Sequence, residues 1–347
     1  MKTSDFYFEL PNERVAQYPA ARGESRLLVL ERATGRRSHH MVKDLPGLLE
    51  SGSLMVFNDS RVRKARIFGT DRRGRAVEFL LLHRAGTESS WEVITKKAGR
   101  RTGERFRFAG GEAETEAELQ REGPRLLLCF DRPVDDAWLD IHGRVPLPPY
   151  IKRADEASDS ARYQTVYARA HGSAAAPTAG LHFTDGILSA LHGRGVGTAF
   201  VTLHVGLGTF LPVRGENVED HRMHKEYFCI ESGTAAAVEA AKRDGRKVVA
   251  VGTTTLRALE SAWRGGAFQT GEQSTDIFIY GTYRFKTADA LFTNFHTPCS
   301  TLLMLVCAFA GTAGGAAAGR KMIMETYREA IQKEYNFFSY GDAMLIL

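Results

Sequence analysis

Long apolar runs are missing from this 347-residue chain. The longest, Leu302 to Ala310, falls far short of the roughly 20 residues that a spanning helix needs. The opening Met1-Lys-Thr-Ser-Asp-Phe-Tyr-Phe-Glu-Leu10 is amphipathic and acidic, with no Lys/Arg-flanked apolar stretch, and does not read as a secretory signal. Cysteine is scarce. Cys129, Cys229, Cys299 and Cys307 show no CxxC spacing, which argues against a disulfide scaffold and fits a reduced, cytoplasmic setting. The glycine-rich nucleotide loops are absent as well. Gly206-Leu-Gly208 leads into Thr-Phe-Leu-Pro212, where proline opposes a helix, so it is no dinucleotide fingerprint. That absence disfavours an ordinary methyltransferase. No HExxH is present either.

The chain has a length that suggests two domains and a hydrophobic content of 43%, ordinary for a globular protein. Its net charge of +5 is unevenly spread. Arg61 to Arg107 hold 14 Lys and Arg against 5 Asp and Glu, a local net of +9, and Phe108 to Tyr150 hold 4 against 9, a local net of −5. The basic stretch would suit an anionic polymer, with Arg72, Arg73 and Arg75 as phosphate contacts. A solvated surface of arginine-bearing strands is the competing reading.

Texture divides the chain. Residues 26–31 and 53–57 read as strands around a helical Leu45–Leu49. After Arg61, short strand candidates recur at 76–83, 91–95, 104–108, 113–119 and 125–130, separated by Gly and charged turns such as Gly110–Gly111. This predicts a compact all-β unit, a small barrel or sandwich, from about Arg61 to about Arg144. Val145-Pro-Leu-Pro-Pro-Tyr-Ile151 reads as a rigid return linker. Beyond it, helices are expected at Thr184–Arg194 (with Thr184 as N-cap), Ser232–Arg243, Thr255–Trp263, Thr301–Ala310 and Met322–Glu334. Strands are expected at Ala199–Val205, Val248–Val251, Asp276–Tyr280 and the C-terminus. The fold class is therefore α/β. Residues 1–60 and 148–347 would form one discontinuous α/β domain, with 61–147 inserted as a β domain.

Three histidines stand among small, turn-forming and apolar residues: His182 in Pro177-Thr-Ala-Gly-Leu-His-Phe183, His204 in Leu203-His-Val-Gly-Leu-Gly-Thr-Phe-Leu-Pro-Val213, and His296 in Thr293-Asn-Phe-His-Thr-Pro298. Imidazole titrates near neutral pH, and apolar neighbours keep water away, as a general acid or base requires. Each alone is equally an ordinary core or loop histidine; convergence on one pocket is the distinguishing expectation. Val249-Ala-Val-Gly-Thr-Thr-Thr-Leu-Arg257 runs from a strand through glycine into a helix start, a setting for a carboxylate or phosphate. Thr253, Thr254 and Arg257 would hold that anion, Arg257 bidentately. Asn58 and Asp59 sit where a strand ends, well placed to meet a ligand or to form a turn. His221 and His224, with His204, would be the ligands if the protein were a metal-dependent hydrolase, though the spacing matches no standard zinc motif. A non-catalytic RNA-binding protein would use only the basic insert.

Taken together, the segments resemble one family, the S-adenosylmethionine:tRNA ribosyltransferase-isomerases of queuosine biosynthesis. The resemblance rests on Phe57-Asn-Asp-Ser-Arg-Val62, Pro146-Leu-Pro-Pro-Tyr-Ile151, Arg162-Tyr-Gln-Thr-Val-Tyr167, Ala176-Pro-Thr-Ala-Gly-Leu-His-Phe183 and Thr202-Leu-His-Val-Gly-Leu-Gly-Thr-Phe210. It continues through His224-Lys-Glu226, Ala250-Val-Gly-Thr-Thr254, Thr275-Asp-Ile-Phe-Ile-Tyr280, Thr293-Asn-Phe-His296, Ser300-Thr-Leu-Leu303 and Gly341-Asp-Ala-Met-Leu-Ile346, in family order over nearly the whole chain. Two loops depart. Tyr280-Gly-Thr-Tyr283 stands where the family usually has Tyr-Pro-Gly-Tyr, and His296-Thr-Pro-Cys-Ser300 where it has His-Leu-Pro-Lys-Ser.

The resemblance implies a large α/β barrel-like domain carrying an inserted small β-barrel. It implies an enzyme with no bound cofactor and no metal. Such an enzyme transfers and isomerises the ribosyl part of S-adenosylmethionine onto 7-aminomethyl-7-deazaguanine at the wobble position of tRNA. Epoxyqueuosine-tRNA forms, and adenine and methionine leave. On this reading His182, His204 and His296 move protons, Asp276 holds the sulfonium or orients a histidine, and Thr253, Thr254 and Arg257 hold the methionine carboxylate. Tyr163 offers a stacking face to the anticodon loop, and the protein acts as a cytoplasmic monomer.

Overall fold

The computed structural model describes residues 1–108, 114–206, 213, 215–312 and 314–347. The turn expected at Gly110–Gly111 and most of the Gly206–Pro212 segment lie outside them. Nine strands form one sheet, in the order Gly271–Thr275, Glu226–Ile230, Gly197–Leu203, Leu54–Asn58, Val248–Val251, Ala290–Asn294, Ala343–Ile346, Arg26–Leu30 and Arg37–Met41. The four strands from Gly197–Leu203 to Ala290–Asn294 are mutually parallel. Their sequences are near-continuous apolar runs, because helices cover both faces of a parallel sheet. Leu54–Asn58, Val248–Val251 and Ala290–Asn294 are buried along their whole length.

The large sheet is open, in contrast to the barrel-like enclosure the resemblance implied. Its two edges show why. Gly271–Thr275 (Gly-Glu-Gln-Ser-Thr) and Arg37–Met41 (Arg-Ser-His-His-Met) are polar and partly exposed. Such strands end a sheet instead of closing it on itself.

The helices at Ser232–Arg243 and Thr301–Ala310 have the expected bounds. Thr184 caps Asp185–Gly193 by accepting a hydrogen bond from the Ile187 amide. Asp276–Tyr280 is not a strand. The ladder with Glu226–Ile230 is made by Gly271–Thr275, one segment earlier. Ile277, Phe278, Ile279 and Tyr280 pack on the core instead, without pairing partners among the described residues. Their apolar, β-prone composition reflects burial and not a ladder.

Arg66–Thr70, Ala76–Arg84, Ser90–Thr95, Arg105–Phe108, Thr115–Glu122 and Arg125–Phe130 close into a six-stranded barrel. Alternate residues point inward, as the period of a strand requires. Phe79, Leu81, Trp91, Phe106, Phe108, Leu119 and Leu128 fill the interior, and the Trp91 indole N–H donates to the Val134 carbonyl. Between Arg61 and Arg144 the described residues hold one α-helix, the seven-residue Asp136–His142. A two-strand parallel contact of Ser60–Val62 with Ala170–Ser173 ties the sheet to the start of the barrel.

The barrel also explains the local charge excess. Many of its arginines meet carboxylates in space: Arg63 on Asp136, Arg66 on Glu78 and Asp155, Arg75 and Arg101 on Asp71, and Arg105 on Glu118. Hydrogen bonds from the Arg75 side chain and the Arg75 and Arg73 amides hold the Asp71 carboxyl down to about 2. Of these carboxylates, Asp136 and Glu118 come from the −5 stretch and Asp155 from beyond it, so the +9 excess is offset only in part. Arg72 and Arg73 are exposed and form no ion pair among the described residues.

Candidate active site

A cleft opens at the carboxyl ends of the parallel strands. That end is where open α/β sheets bind ligands. Three strand ends feed it: Val205 after Gly197–Leu203, Gly252 to Thr254 after Val248–Val251, and Thr293 to Thr297 at and beyond Ala290–Asn294. Ala176 to Ala179, Tyr150, Phe338 and Ser339 complete the wall.

The helix Thr253–Ala262 begins at this cleft. Gly252 precedes it at φ +91°, a left-handed turn that only glycine makes without strain. No side chain caps the helix start. Its first-turn N–H groups and the positive end of its dipole are therefore available to an anion, with the Thr253 and Thr254 side chains alongside.

His296 lines the same cleft, and its Nε2 lies 3.0 Å from the Thr293 hydroxyl. Burial pushes its imidazole down to about 3. His182 stands one hydrogen bond behind the wall. Its Nε2 lies 3.0 Å from the Asn294 amide nitrogen, which also donates to the Phe338 carbonyl at 3.1 Å. Thr178 donates to the Asn294 carbonyl oxygen at 3.1 Å, which fixes the orientation of the amide. Both Asn294 N–H groups are thereby directed at acceptors, so His182 Nε2 accepts and Nδ1 carries the proton of the neutral ring. Burial pushes this imidazole down to about 4, and the ring packs edge-on against Phe292. At neutral pH both histidines are uncharged.

Other residues that the sequence nominated lie elsewhere or are already engaged. His204 does not face the cleft, although Val205 does. Its ring packs against Gly172 and lines a second depression with Tyr227, Cys229 and Glu272. A Cβ at Gly172 would come within 3.0 Å of the ring, so glycine permits this approach. His204 Nδ1 is buried without a hydrogen-bond partner, and burial lowers the pKa of the ring. The three histidines therefore do not share one pocket: His296 and His182 belong to the cleft and its wall, and His204 does not.

Arg257 is 2% exposed and salt-bridged to Glu226. Its Nη2 is buried without a partner, but the guanidinium does not line the cleft. Asn58 spends its amide on structure. It bonds the Leu203 carbonyl and amide, both at 3.0 Å, and reaches the Thr254 hydroxyl at 3.4 Å. It therefore positions Thr254 from behind. Asp59 holds Arg169 at 2.8 Å and the Thr202 hydroxyl at 2.7 Å. Asp276 is exposed, outside the cleft wall. Tyr163 is fully buried against Tyr340, so its ring offers no stacking face. His221 packs on Phe278. Among the described residues, no group of three His, Cys, Asp or Glu side chains is arranged to hold a metal ion.

Sequence reading missed Asn294, Thr178, Tyr150 and Ser339. Asn294 stood inside a segment already singled out for His296, and its place at the last position of a buried strand was the available signal. The Tyr150 and Ser339 hydroxyls hydrogen-bond each other from distant segments, a pairing that no local pattern reveals.

Known proteins similar to this chain agree on one assignment. A family model described as "Queuosine biosynthesis protein" matches residues 3–346. A relative from Treponema denticola, named S-adenosylmethionine:tRNA ribosyltransferase-isomerase, is 51% identical over the whole of both chains. One of the same name from Citrifermentans bemidjiense is 49% identical, again over the whole of both. The crystal structure of S-adenosylmethionine tRNA ribosyltransferase from Thermotoga maritima is 34% identical, with a TM-score of 0.56, covering 99% of this chain and 100% of the other.

Proposed function

The chain belongs to the S-adenosylmethionine:tRNA ribosyltransferase-isomerase family of queuosine biosynthesis enzymes, and from that premise we propose the reaction and the roles of its residues. The enzyme transfers and isomerises the ribosyl moiety of S-adenosylmethionine onto the amine of 7-aminomethyl-7-deazaguanine at the wobble position of tRNA. Epoxyqueuosine-tRNA, adenine and methionine are the products. The observation that carries this reading is the uncapped helix start at Thr253–Thr254, opening on the same cleft as a buried, neutral His296.

The amino-acid carboxylate of S-adenosylmethionine sits at that helix start, where N–H groups and the dipole favour an anion. Arg257 supports the helix through Glu226 and does not touch the carboxylate. The sulfonium acidifies hydrogens on the adjacent ribose carbon, and a neutral imidazole is in the correct form to accept one. His296 borders the cleft directly and is the base; His182 accepts from Asn294 and so positions the cleft wall. Neither rests as an imidazolium, so protonation of the departing adenine needs another donor or a proton first taken from substrate. For the anticodon loop, the exposed ring of Tyr227, beside His204, offers the stacking face that buried Tyr163 lacks.

Incubation with S-adenosylmethionine and tRNA carrying the aminomethyl base tests the reading. Adenine release that depends on the modified tRNA, with an epoxyqueuosine mass in the digested nucleosides, is the expected result. Adenine release indifferent to tRNA, or an unchanged nucleoside, would sink it.

The barrel is expected to add phosphate contacts through its unpaired arginines. Charge reversal at Arg72 and Arg73 should weaken tRNA binding, flatten its salt dependence, and leave S-adenosylmethionine affinity intact. Arg75 is excluded from that variant because its loss would strip Asp71 of its nearer partner, leaving Arg101 at 3.7 Å. Unchanged tRNA affinity in titrations at several salt concentrations would return both arginines to the role of solvated surface.

A further inference from the structure

A second, shallow recess adjoins His182. Arg22, Arg162, Ser25, Ser339 and His182 line it. Both arginines are half-buried, and neither forms an ion pair with a carboxylate among the described residues. Each instead donates to backbone carbonyls of the other's segment. Arg22 Nη2 reaches the Ala161 and Gln164 carbonyls, at 2.8 and 2.5 Å, and Arg162 Nη2 reaches the Ala20 carbonyl. The guanidiniums are thus fixed in place with donor nitrogens to spare.

The arrangement is electrostatically incomplete. Burial lowers the Arg22 pKa, and the positive charge of Arg162 lowers it further. Asp185 acts on Arg22 only at longer range. Tyr340 lines the recess too, but its hydroxyl donates to Asp159, and Asp159 is already paired with Arg153. Two like charges held together in partial burial call for an anion, and fixed guanidinium forks match the oxygens of a phosphate.

We propose that this recess binds a backbone phosphodiester of the RNA substrate. The inference rests on the tRNA reading above and deepens it by locating the strand. The phosphate would lie on one side of the His182–Asn294 pair and the methionine carboxylate, at Thr253–Thr254, on the other. Two anions would then bracket the reacting ribose and amine, each at its own cationic or dipolar anchor.

The test is tRNA binding to the full-length protein over a range of salt concentrations, with S-adenosylmethionine affinity measured in parallel. Arg162→Gln should weaken tRNA binding and reduce the slope of log affinity against log salt by about 0.7 to 1 for each phosphate that is no longer neutralised. Arg162→Lys should retain most of the slope, and S-adenosylmethionine affinity should not move. Should Arg162→Gln lose the fold by circular dichroism, Arg22→Gln is measured in its place. An unchanged slope in a folded Gln variant overturns the proposal and leaves the arginines as a staple between the two segments. Stabilisation by inorganic phosphate that vanishes in the Gln variant, with the tRNA slope unchanged, assigns the recess to a free anion and overturns the phosphodiester. A wild-type protein with no affinity for tRNA overturns the tRNA reading itself, and this proposal with it.

Discussion

His296→Ala is expected to lower turnover by about 10²-fold or more while the protein remains folded, as the loss of a proton-transfer group does. His182→Ala should lower it less, by releasing Asn294 from its place in the cleft wall. The two act differently, since His296 borders the cleft and His182 works through Asn294. Their pH behaviour follows from burial. Both folded-state values, about 4 and about 3, lie below the ordinary 6.5. Both rings are therefore already neutral throughout pH 6 to 9, and neither should impose a neutral-range limb on the turnover profile. Stability behaves otherwise. Below pH 6.5 the unfolded chain protonates these histidines and the folded chain does not, so stability is complete above that value and declines as pH falls toward 4. For His182 the loss across that window is roughly 3 kcal/mol, at 1.4 kcal/mol per unit. Thermal melting of wild type and His182→Ala from pH 7.5 to 4.5 measures it: the variant should lose less stability on acidification. A His182→Ala enzyme with wild-type adenine release would remove the residue from the mechanism. His204→Ala should leave the reacting centre intact, because the ring lies outside the cleft.

How far the sequence carried the reading can be traced residue by residue. The capped helix after Thr184 and the striped helix Ser232–Arg243 were legible, because local propensity and burial agree there. Asp276–Tyr280 misled, because apolar alternation records burial and is silent on whether a neighbouring strand supplies a ladder. The helix start after Gly252 was legible from its strand–glycine–threonine order, and it does line the cleft. Arg257 was not. Its position one turn into the helix suggested an anion ligand, but its partner, Glu226, is 31 residues away in sequence. Tyr163 failed for the same kind of reason: aromatic residues near basic ones look like stacking platforms until the tertiary packing buries them. The local charge excess at 61–107 was real in sequence and is offset only in part in space, by carboxylates from outside the stretch such as Asp136, Glu118 and Asp155. Charge counted along a chain reports a surface field only where the fold leaves it unpaired, as at Arg72 and Arg73.

The Arg257–Glu226 pair supplies the largest expected effect on stability. Both side chains are almost wholly buried, at 2% and 3% exposure, on the helix that begins at the cleft and on the neighbouring strand Glu226–Ile230. Glu226 also accepts the Gly206 amide at 3.0 Å, just before the chain passes into the Leu207–Pro212 segment. Removing one partner of a buried pair leaves a charge that neither water nor protein compensates, and that costs about 3–5 kcal/mol. Glu226→Ala is therefore expected to shift the urea midpoint strongly downward. Arg257→Met in the same chain should recover much of the loss, because two apolar side chains in place of a buried ion pair are often neutral. The double variant also separates structure from binding. If Arg257 acts only through the helix, the recovered protein should bind S-adenosylmethionine nearly as wild type does. A double variant that regains stability but loses S-adenosylmethionine affinity would show that the unpartnered Arg257 Nη2 reaches the substrate after all. A Glu226→Ala loss below about 1 kcal/mol would mean that water or another group already compensates the arginine, and that the pair is not what holds the helix start in place.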